Sequence, residues 1–327
     1  MIGINPEIDY LGRWFEVRRT LGIEDAIAIG RVDLSSGTVE WKEYAHAEWD
    51  GMGALSHFLE SVGYGPQELL NVSHPQPNSI WKRIALAFNP FGTEKPVPTL
   101  WNNYDDSTNG ESVLAWKVLS SEQSKIIENN FKDQSVSESS YFLWSLNKTV
   151  KQLLKNDDIL SWFLPVNLRG PFRKSNPRAN HSSGIYFNVS GSASPNDVQQ
   201  KIRVQLKQNR QWGLLYQTHI GALLGPALMR YILNKTIRES RYVGSLSMLG
   251  EWPIENSVHK NANEAILICA PGSPMYPIAT GVIKWKDQYT LCLRINPALQ
   301  QTQQQVEDML ERWVDHLCNI TDVNLIQ

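Results

Sequence analysis

In the stretch Tyr44-Ala45-His46-Ala47-Glu48-Trp49-Asp50-Gly51, an imidazole stands four residues ahead of a carboxylate and a glycine. A neutral imidazole can take a proton from an alcohol or amine near pH 7, which is what a general base supplies when such a group attacks an electrophile. His46 is therefore the candidate base. Asp50 lies across a turn from it, too far along the backbone to be assumed a relay partner; its ordinary reading is the N-cap of a helix starting at Gly51. Gly51 would let the chain turn tightly and approach neighbouring backbone. The remaining histidines, His57, His74, His181, His219, His259 and His316, show no pair at metal-ligand spacing, so no metal site is expected. His181 is the one to follow, because NHSSG is expected near the cleft. No G-x-S-x-G elbow and no phosphate-cradling Gly-Lys-Ser/Thr loop is present, which argues against hydrolase and nucleoside-triphosphate chemistry.

The elements that must position this group follow from periodicity. From Ala26, AIAIGRVDL and TVEWKEYAH are two β-rich runs around a Ser-Ser-Gly turn signal, a hairpin ending at His46. In GMGALSHFLESVGYG, the residues Met52, Leu55, Phe58, Leu59 and Val62 share a helical stripe that stops at Gly63 and Gly65. The motif thus occupies a strand-to-helix turn. Residues 66–109 are rich in Pro, Asn, Gly and Ser and read as a long connection with short elements hidden inside it. A helix over SESSYFLWSLNKTVKQLLKN, capped by Ser137, opens the second half. A strand DILSWFLPVNLRG and a strand GIYFNVSG come next, then a helix started by Ser194 and Pro195. After a helical region ending in GALLGPALMRYILNKTIRES come four strand-like runs: VGSLSML, AILICAP, IATGVIKWKD and QYTLCLRINP. The last two form a hairpin about Lys286-Asp287-Gln288. A closing helix places Val306, Met309, Leu310, Trp313 and Leu317 at core spacing. The helix GALLGPALMRY reads as a core element rather than the lining of an apolar channel.

The chain has 327 residues, 42% hydrophobic and 20% charged, enough for a large core with an internal cleft. A net charge of −2 gives no global field for a polyanion, so nucleic acid is not an expected partner. Cys269, Cys292 and Cys318 are too few and too far apart for a disulfide framework and read as reduced, buried thiols. The amino-terminal MIGINPEIDYLGRWFEV lacks a basic start and apolar stretch, and no run reaches the roughly 18 apolar residues of a membrane span. A soluble, cytoplasmic protein is expected. Most of the 12 tryptophans are expected in the core, with some in an apolar pocket.

HAEWDG fits the His-x-x-x-Asp-Gly signature and resembles the superfamily of chloramphenicol acetyltransferases, nonribosomal-peptide condensation domains, wax-ester synthases and plant acyltransferases. Further landmarks occur in matching order from about Ala26 to the end. The helix SESSYFLWSLNKTVKQLL and strand ILSWFLPVNLRG resemble the lead into the V-x-x-R element, NHSSGIYFNVS the glycine and strand after it, VGSLSMLGEW the floor segment, and YTLCLRINPALQQTQQQVEDMLERWVDHL the final strand and helix. The resemblance implies an α/β fold of two chloramphenicol-acetyltransferase-like lobes with a mixed sheet. Residues 1–110 would be a shortened N-terminal lobe carrying the motif and the long connection, and 111–327 the C-terminal lobe. In similar proteins the motif aspartate pairs with an arginine that shapes the site; by position Arg169 is the first candidate and Arg31 the second, since a buried charge needs a partner. The tetrahedral intermediate of acyl transfer needs donors aimed at its oxyanion. Ser247 is the positional candidate, with Asn180 and Ser183 as weaker donors and substrate-binding residues, and Trp49 as a bulky substrate-side residue. Met248 stands where the floor asparagine would be, and only 45 residues precede His46.

The implied activity is transfer of an acyl group to a hydroxyl or amine of a small molecule. The thioester donor would sit on CoA or on the phosphopantetheine arm of an acyl carrier protein, a co-substrate rather than a bound cofactor, and no metal is involved. A condensation-type enzyme joining carrier-bound substrates through an amide or ester is the alternative within enzymology, and a catalytically silent binding scaffold the alternative outside it. The short first lobe also admits a homo-oligomer in which another subunit completes the cleft.

Overall fold

The computed structural model describes residues 10–319 apart from 24, 73–74, 93, 106, 109, 157, 173, 240–241 and 253–262. His74, His259 and residues 1–9 of the amino-terminal reading lie outside the described residues. Helix α1 (Tyr10–Arg19) precedes the antiparallel hairpin β1 (Ala26–Asp33) and β2 (Thr38–Ala45), in register from Ala26↔Ala45 to Asp33↔Thr38. Helix α2 (Gly51–Ser61) follows, capped by the Asp50 side chain, and buries Leu55, Phe58 and Leu59. Among its described residues the long connection holds one short helix, α3 (Ile80–Phe88).

The C-terminal part opens with β3 (Val113–Val118) and α4 (Ser121–Asp133), ahead of the expected helix α5 (Glu138–Val150). These two elements, like α1, correct the reading from periodicity. Helix α4 has three apolar side chains, Ile126, Ile127 and Phe131, and its capping box is complete: Ser120 Oγ accepts from Gln123 N, and Gln123 reaches back to the Ser120 N–H. Strand β4 (Ile159–Asn167) and β5 (Ser182–Ser190) pair antiparallel, and helix α6 (Pro195–Lys207) starts from a Ser194 and Asp197 capping box with Pro195 in its first turn. Helices α7 (Gln211–Leu224) and α8 (Pro226–Glu239) are separated at Gly225 and Pro226, since proline cannot continue the preceding helix. Strands β6 (Gly244–Trp252), β7 (Glu264–Cys269), β8 (Ile278–Trp285) and β9 (Gln288–Ile295) lead to α9 (Gln303–Cys318). The β8–β9 turn is Lys286-Asp287, both at positive φ (46° and 60°), a two-residue turn whose twist matches the hairpin.

Two sheets result. The larger has the order β3-β9-β8-β6-β4-β5, mixed because β6 runs parallel to both β4 and β8. The smaller has the order β2-β1-β7, so β7, distant in sequence, closes on the N-terminal hairpin through β1. Helices α5 and α9 cover the large sheet. Trp162 and Trp313 are fully buried there, and each indole N–H has a partner: Trp162 Nε1 donates to Asn147 Oδ1 at 2.7 Å, and Trp313 Nε1 to Ser145 Oγ at 2.9 Å. Ile27 and Ile29 of β1, Ile266 and Ile268 of β7, and Leu55 and Leu59 of α2 form the second core. Cys269 and Cys292 are buried in the strands β7 and β9. Among the described residues no helix is long and apolar enough to cross a membrane.

One feature of the large sheet opens the interior. Strands β4 and β6 pair only at Trp162↔Gly244 and Phe163↔Ser245. Beyond those pairs the ladder stops, and Pro165, Val166 and Asn167 of β4 and Ser247, Met248 and Leu249 of β6 line a cavity.

Candidate active site

The cavity, of about 270 Å³, lies where the ends of β1, β2 and β7 face the parted strands β4 and β6, with α1, α7 and α8 along its other walls. His46, the first residue after β2, lines it. Its Nδ1 is 2.8 Å from the Trp49 carbonyl oxygen. A carbonyl only accepts, so Nδ1 carries the proton, and the neutral imidazole keeps its lone pair on Nε2. The Asn180 amide lies 3.3 Å from Nδ1 but donates to the His46 carbonyl at 2.7 Å, which is the contact compatible with a protonated Nδ1. Burial is the main cause that lowers the His46 pKa, and the positive charge of Arg18 acts in the same direction, against the Trp49 hydrogen bond and the charges of Asp50 and Asp25. The result is a neutral base at pH 7.

Asp50 does not touch His46. Its Oδ1 accepts from Gly53 N at 2.8 Å and from Arg169 Nη2 at 2.7 Å, and its Oδ2 from His181 N at 2.8 Å. Both members of the Asp50–Arg169 ion pair are 4% exposed at the side chain. Arg169 also donates from Nε to the Pro177 carbonyl, from Nη1 to Asn167 Oδ1 and from Nη2 to the Ala179 carbonyl. One carboxylate and one guanidinium therefore pin the start of α2, the end of β4 and the loop that leads into β5. That loop carries Asn180, and Asn180 holds the His46 backbone. Arg31, the second candidate, pairs instead with Glu264 at 2.8 Å across β1 and β7.

Gly51 and Gly53 differ in what they permit. A methyl at Gly51 would meet the tip of Leu249 at 3.2 Å, whereas one at Gly53 would fall 1.9 Å from the Arg178 carbonyl oxygen. Gly53, which motif reasoning passed over, is the position where backbone meets backbone. Gly53→Ala is expected to lower the thermal unfolding midpoint by the equivalent of about 1–3 kcal/mol, as overpacking does, and Gly51→Ala to lie near the parent. Equal midpoints for the two variants in a melting scan would contradict this.

The other expected residues are placed as follows. Ser183 on β5 and Ser247 on β6 line the cavity, and Ser183 Oγ is buried with no hydrogen-bond partner. Asn180 also lines it, but its Nδ2 is held by the His46 carbonyl and its Oδ1 accepts from Ser182 N and Oγ, so both ends of the amide are committed. Trp49 was expected on the substrate side; its ring forms no part of the cavity wall, stacking on His57 at 4.8 Å and meeting Tyr44 edge-on. The motif supplies this indole to the small-sheet core and its carbonyl to His46. His181 has both ring nitrogens engaged, Nδ1 with the Ala179 carbonyl and Nε2 accepting from Lys174 N. That leaves it no lone pair for a reaction.

Acid should destabilise this arrangement. Burial lowers the pKa values of His46 and His181 and pushes His219 down to about 4. Each unfolded histidine, near 6.5, then binds more protons than the folded one, so stability is full above about 6.5 and falls as pH drops toward the folded value. For His219 alone the loss at pH 5 is about 2 kcal/mol. Unfolding midpoints measured from pH 7.5 to 5 should decline; a flat series would refute it.

No family model matches the chain, and no curated protein matches it in sequence. The fold is that of the chloramphenicol-acetyltransferase-like and condensation-domain proteins. Among solved structures, the chain is similar to the trichothecene 15-O-acetyltransferase of Fusarium sporotrichioides (14% identity, 86% of this chain and 66% of that chain, TM-score 0.58). It is also similar to the cyclization-docking bidomain of a nonribosomal peptide synthetase from Sorangium cellulosum (12%, 87% and 60%, TM-score 0.54). A third is the starter condensation domain of rhizomide synthetase, solved with C8-CoA and Leu-SNAC (13%, 86% and 65%, TM-score 0.53). The chain spans 60% to 66% of the length of these proteins, and at such identities the likeness is one of fold.

Proposed function

We propose that the protein transfers an acyl group from a thioester, on CoA or on a carrier-protein phosphopantetheine arm, to a hydroxyl or amine, with His46 as general base. The observation that carries this reading is the 2.8 Å contact of His46 Nδ1 with the Trp49 carbonyl: an acceptor there keeps the proton on Nδ1 and leaves Nε2 as the basic nitrogen of a neutral imidazole lining an apolar cavity. In the reaction, Nε2 takes the proton of the acceptor O–H or N–H as that oxygen or nitrogen bonds to the thioester carbon. The tetrahedral intermediate then collapses, the C–S bond breaks, and the imidazolium returns its proton to the leaving thiolate. Ser183 and Ser247 supply the hydroxyls for the oxyanion; Ser183 Oγ is the better supported, since it is buried in the cavity without another partner. Asp50 and Arg169 hold the scaffold around His46.

The test is to incubate the protein with a panel of acyl-CoA and acyl-carrier thioesters and to follow thiol release with and without alcohol and amine acceptors. Acceptor-dependent release is the expected result; none with any pair would overturn the reading and favour a silent scaffold.

A further inference from the structure

Arg18 is a cation in the cavity for which the proposed reaction has no use. It stands in the last turn of α1 and lines the cavity, and its Nε is buried with no hydrogen-bond partner. Among the described residues it forms no ion pair: Asp25, whose Oδ2 is buried without a hydrogen-bond partner and lies 3.9 Å from Arg19 Nη2, acts on Arg18 only through space. Its guanidinium carbon lies 5.1 Å from the centroid of the Phe15 ring. The same ring meets the His46 imidazole at 5.1 Å. The surrounding wall is largely apolar, including Leu11, Phe91 and Phe163. The two phenols nearby, Tyr186 and Tyr276, bond to each other at 2.5 Å, and burial raises both pKa values, so neither brings a negative charge. A guanidinium has five donors, and the Nε of Arg18, buried beside an apolar wall, is costly to leave without the partner that an anion would supply.

We propose that Arg18 receives a carboxylate borne by one of the two substrates, beside the same Phe15 ring that the His46 imidazole meets. The proposal rests on the acyl-transfer reading of this cavity and narrows it: the substrate is a small amphipathic acid with an apolar body and one carboxylate. A single guanidinium in apolar surroundings suits a monoanion better than a phosphate dianion, which would leave a charge uncompensated. A volume of about 270 Å³ suits a short acyl chain. Binding would also couple to catalysis. The Arg18 charge lowers the proton affinity of His46, so a carboxylate that neutralises it makes His46 a stronger base once substrate is in place.

The first arm of the test needs no turnover. Trp14 lines the cavity, so its fluorescence can report titration with hexanoate and with hexanamide, which differ only in the anionic group. The parent should bind hexanoate more tightly by on the order of 10- to 100-fold, Arg18→Lys should keep part of that preference, and Arg18→Met should lose it. Equal binding of the two ligands by the parent, or an undiminished preference in Arg18→Met, overturns the proposal. So does inorganic phosphate displacing hexanoate at comparable concentration. Hexanoate binding by His46→Ala as by the parent supports a site independent of the base; should the parent then turn over no thioester, the acyl-transfer reading falls and the anion site stands.

The second arm names the source of the carboxylate. Thiol release is compared for glutaryl-CoA against valeryl-CoA, and for an amino-acid acceptor against its amide. The kcat/KM ratio within one of these pairs should collapse in Arg18→Met, and that pair identifies the substrate carrying the acid; both ratios unchanged would overturn the proposal.

Discussion

Replacing His46 with alanine is expected to lower acyl-transfer turnover by about a hundredfold to ten-thousandfold, the range general-base catalysis contributes, with the unfolding midpoint close to that of the parent. The split between the two readouts follows from what the side chain touches. His46 is half-buried, and its ring makes one hydrogen bond, to the Trp49 carbonyl, whereas the contacts that hold its segment are backbone ones: His46 N donates to the Asp25 carbonyl and the His46 carbonyl accepts from Asn180. The parent's pH profile has a definite sign. With the imidazole pKa held below its ordinary value of about 6.5, kcat/KM should be flat through neutrality and fall only on the acid side, where Nε2 is protonated. An alanine variant as active as the parent, or a parent profile still rising above pH 7, would remove His46 from the base role.

The second large effect is on stability. Asp50→Asn is expected to cost about 3–5 kcal/mol, because it leaves the Arg169 charge buried without its counter-ion. Geometry adds to electrostatics here. Each Asp50 oxygen faces N–H donors, Gly53 and Arg169 on one side and His181 on the other, so an amide in either orientation turns its own NH2 toward a donor. Arg169→Lys should also fail to restore the parent, since one ammonium cannot reach the separate acceptors that the planar fork serves, the Asp50 carboxylate, Asn167 Oδ1 and the carbonyls of Pro177 and Ala179. Denaturant unfolding measures both. An Asp50→Asn variant within about 1 kcal/mol of the parent would mean the pair is not the anchor of the loop that holds His46.

Local chemistry made much of this legible in advance. The Asp50 cap, the Ser194 and Pro195 helix start and the Lys286-Asp287 hairpin turn each depend on residues within a few positions, and the structure has all three. Helix α1 and the pair β3 and α4 were not read from periodicity; the Ser120 and Gln123 capping box was the available signal for α4. Trp49 was misplaced for a related reason: composition says that an indole seeks burial, but not on which side of the motif.

The sequence alone determined that an imidazole ends a strand and a carboxylate begins a helix, since strand period, turn chemistry and helix capping act over neighbouring residues. Only the tertiary structure decided what surrounds them. The pairing of Asp50 with Arg169, 119 positions away, the addition of β7 to β1, and the parting of β4 from β6 that opens the cavity all depend on long-range packing. The same is true of Gly53, whose constraint is a carbonyl from a distant loop. Such contacts form because a buried charge, an unpaired strand edge and an apolar face must each find a partner, and chemistry along the chain states that need without naming the residue that meets it.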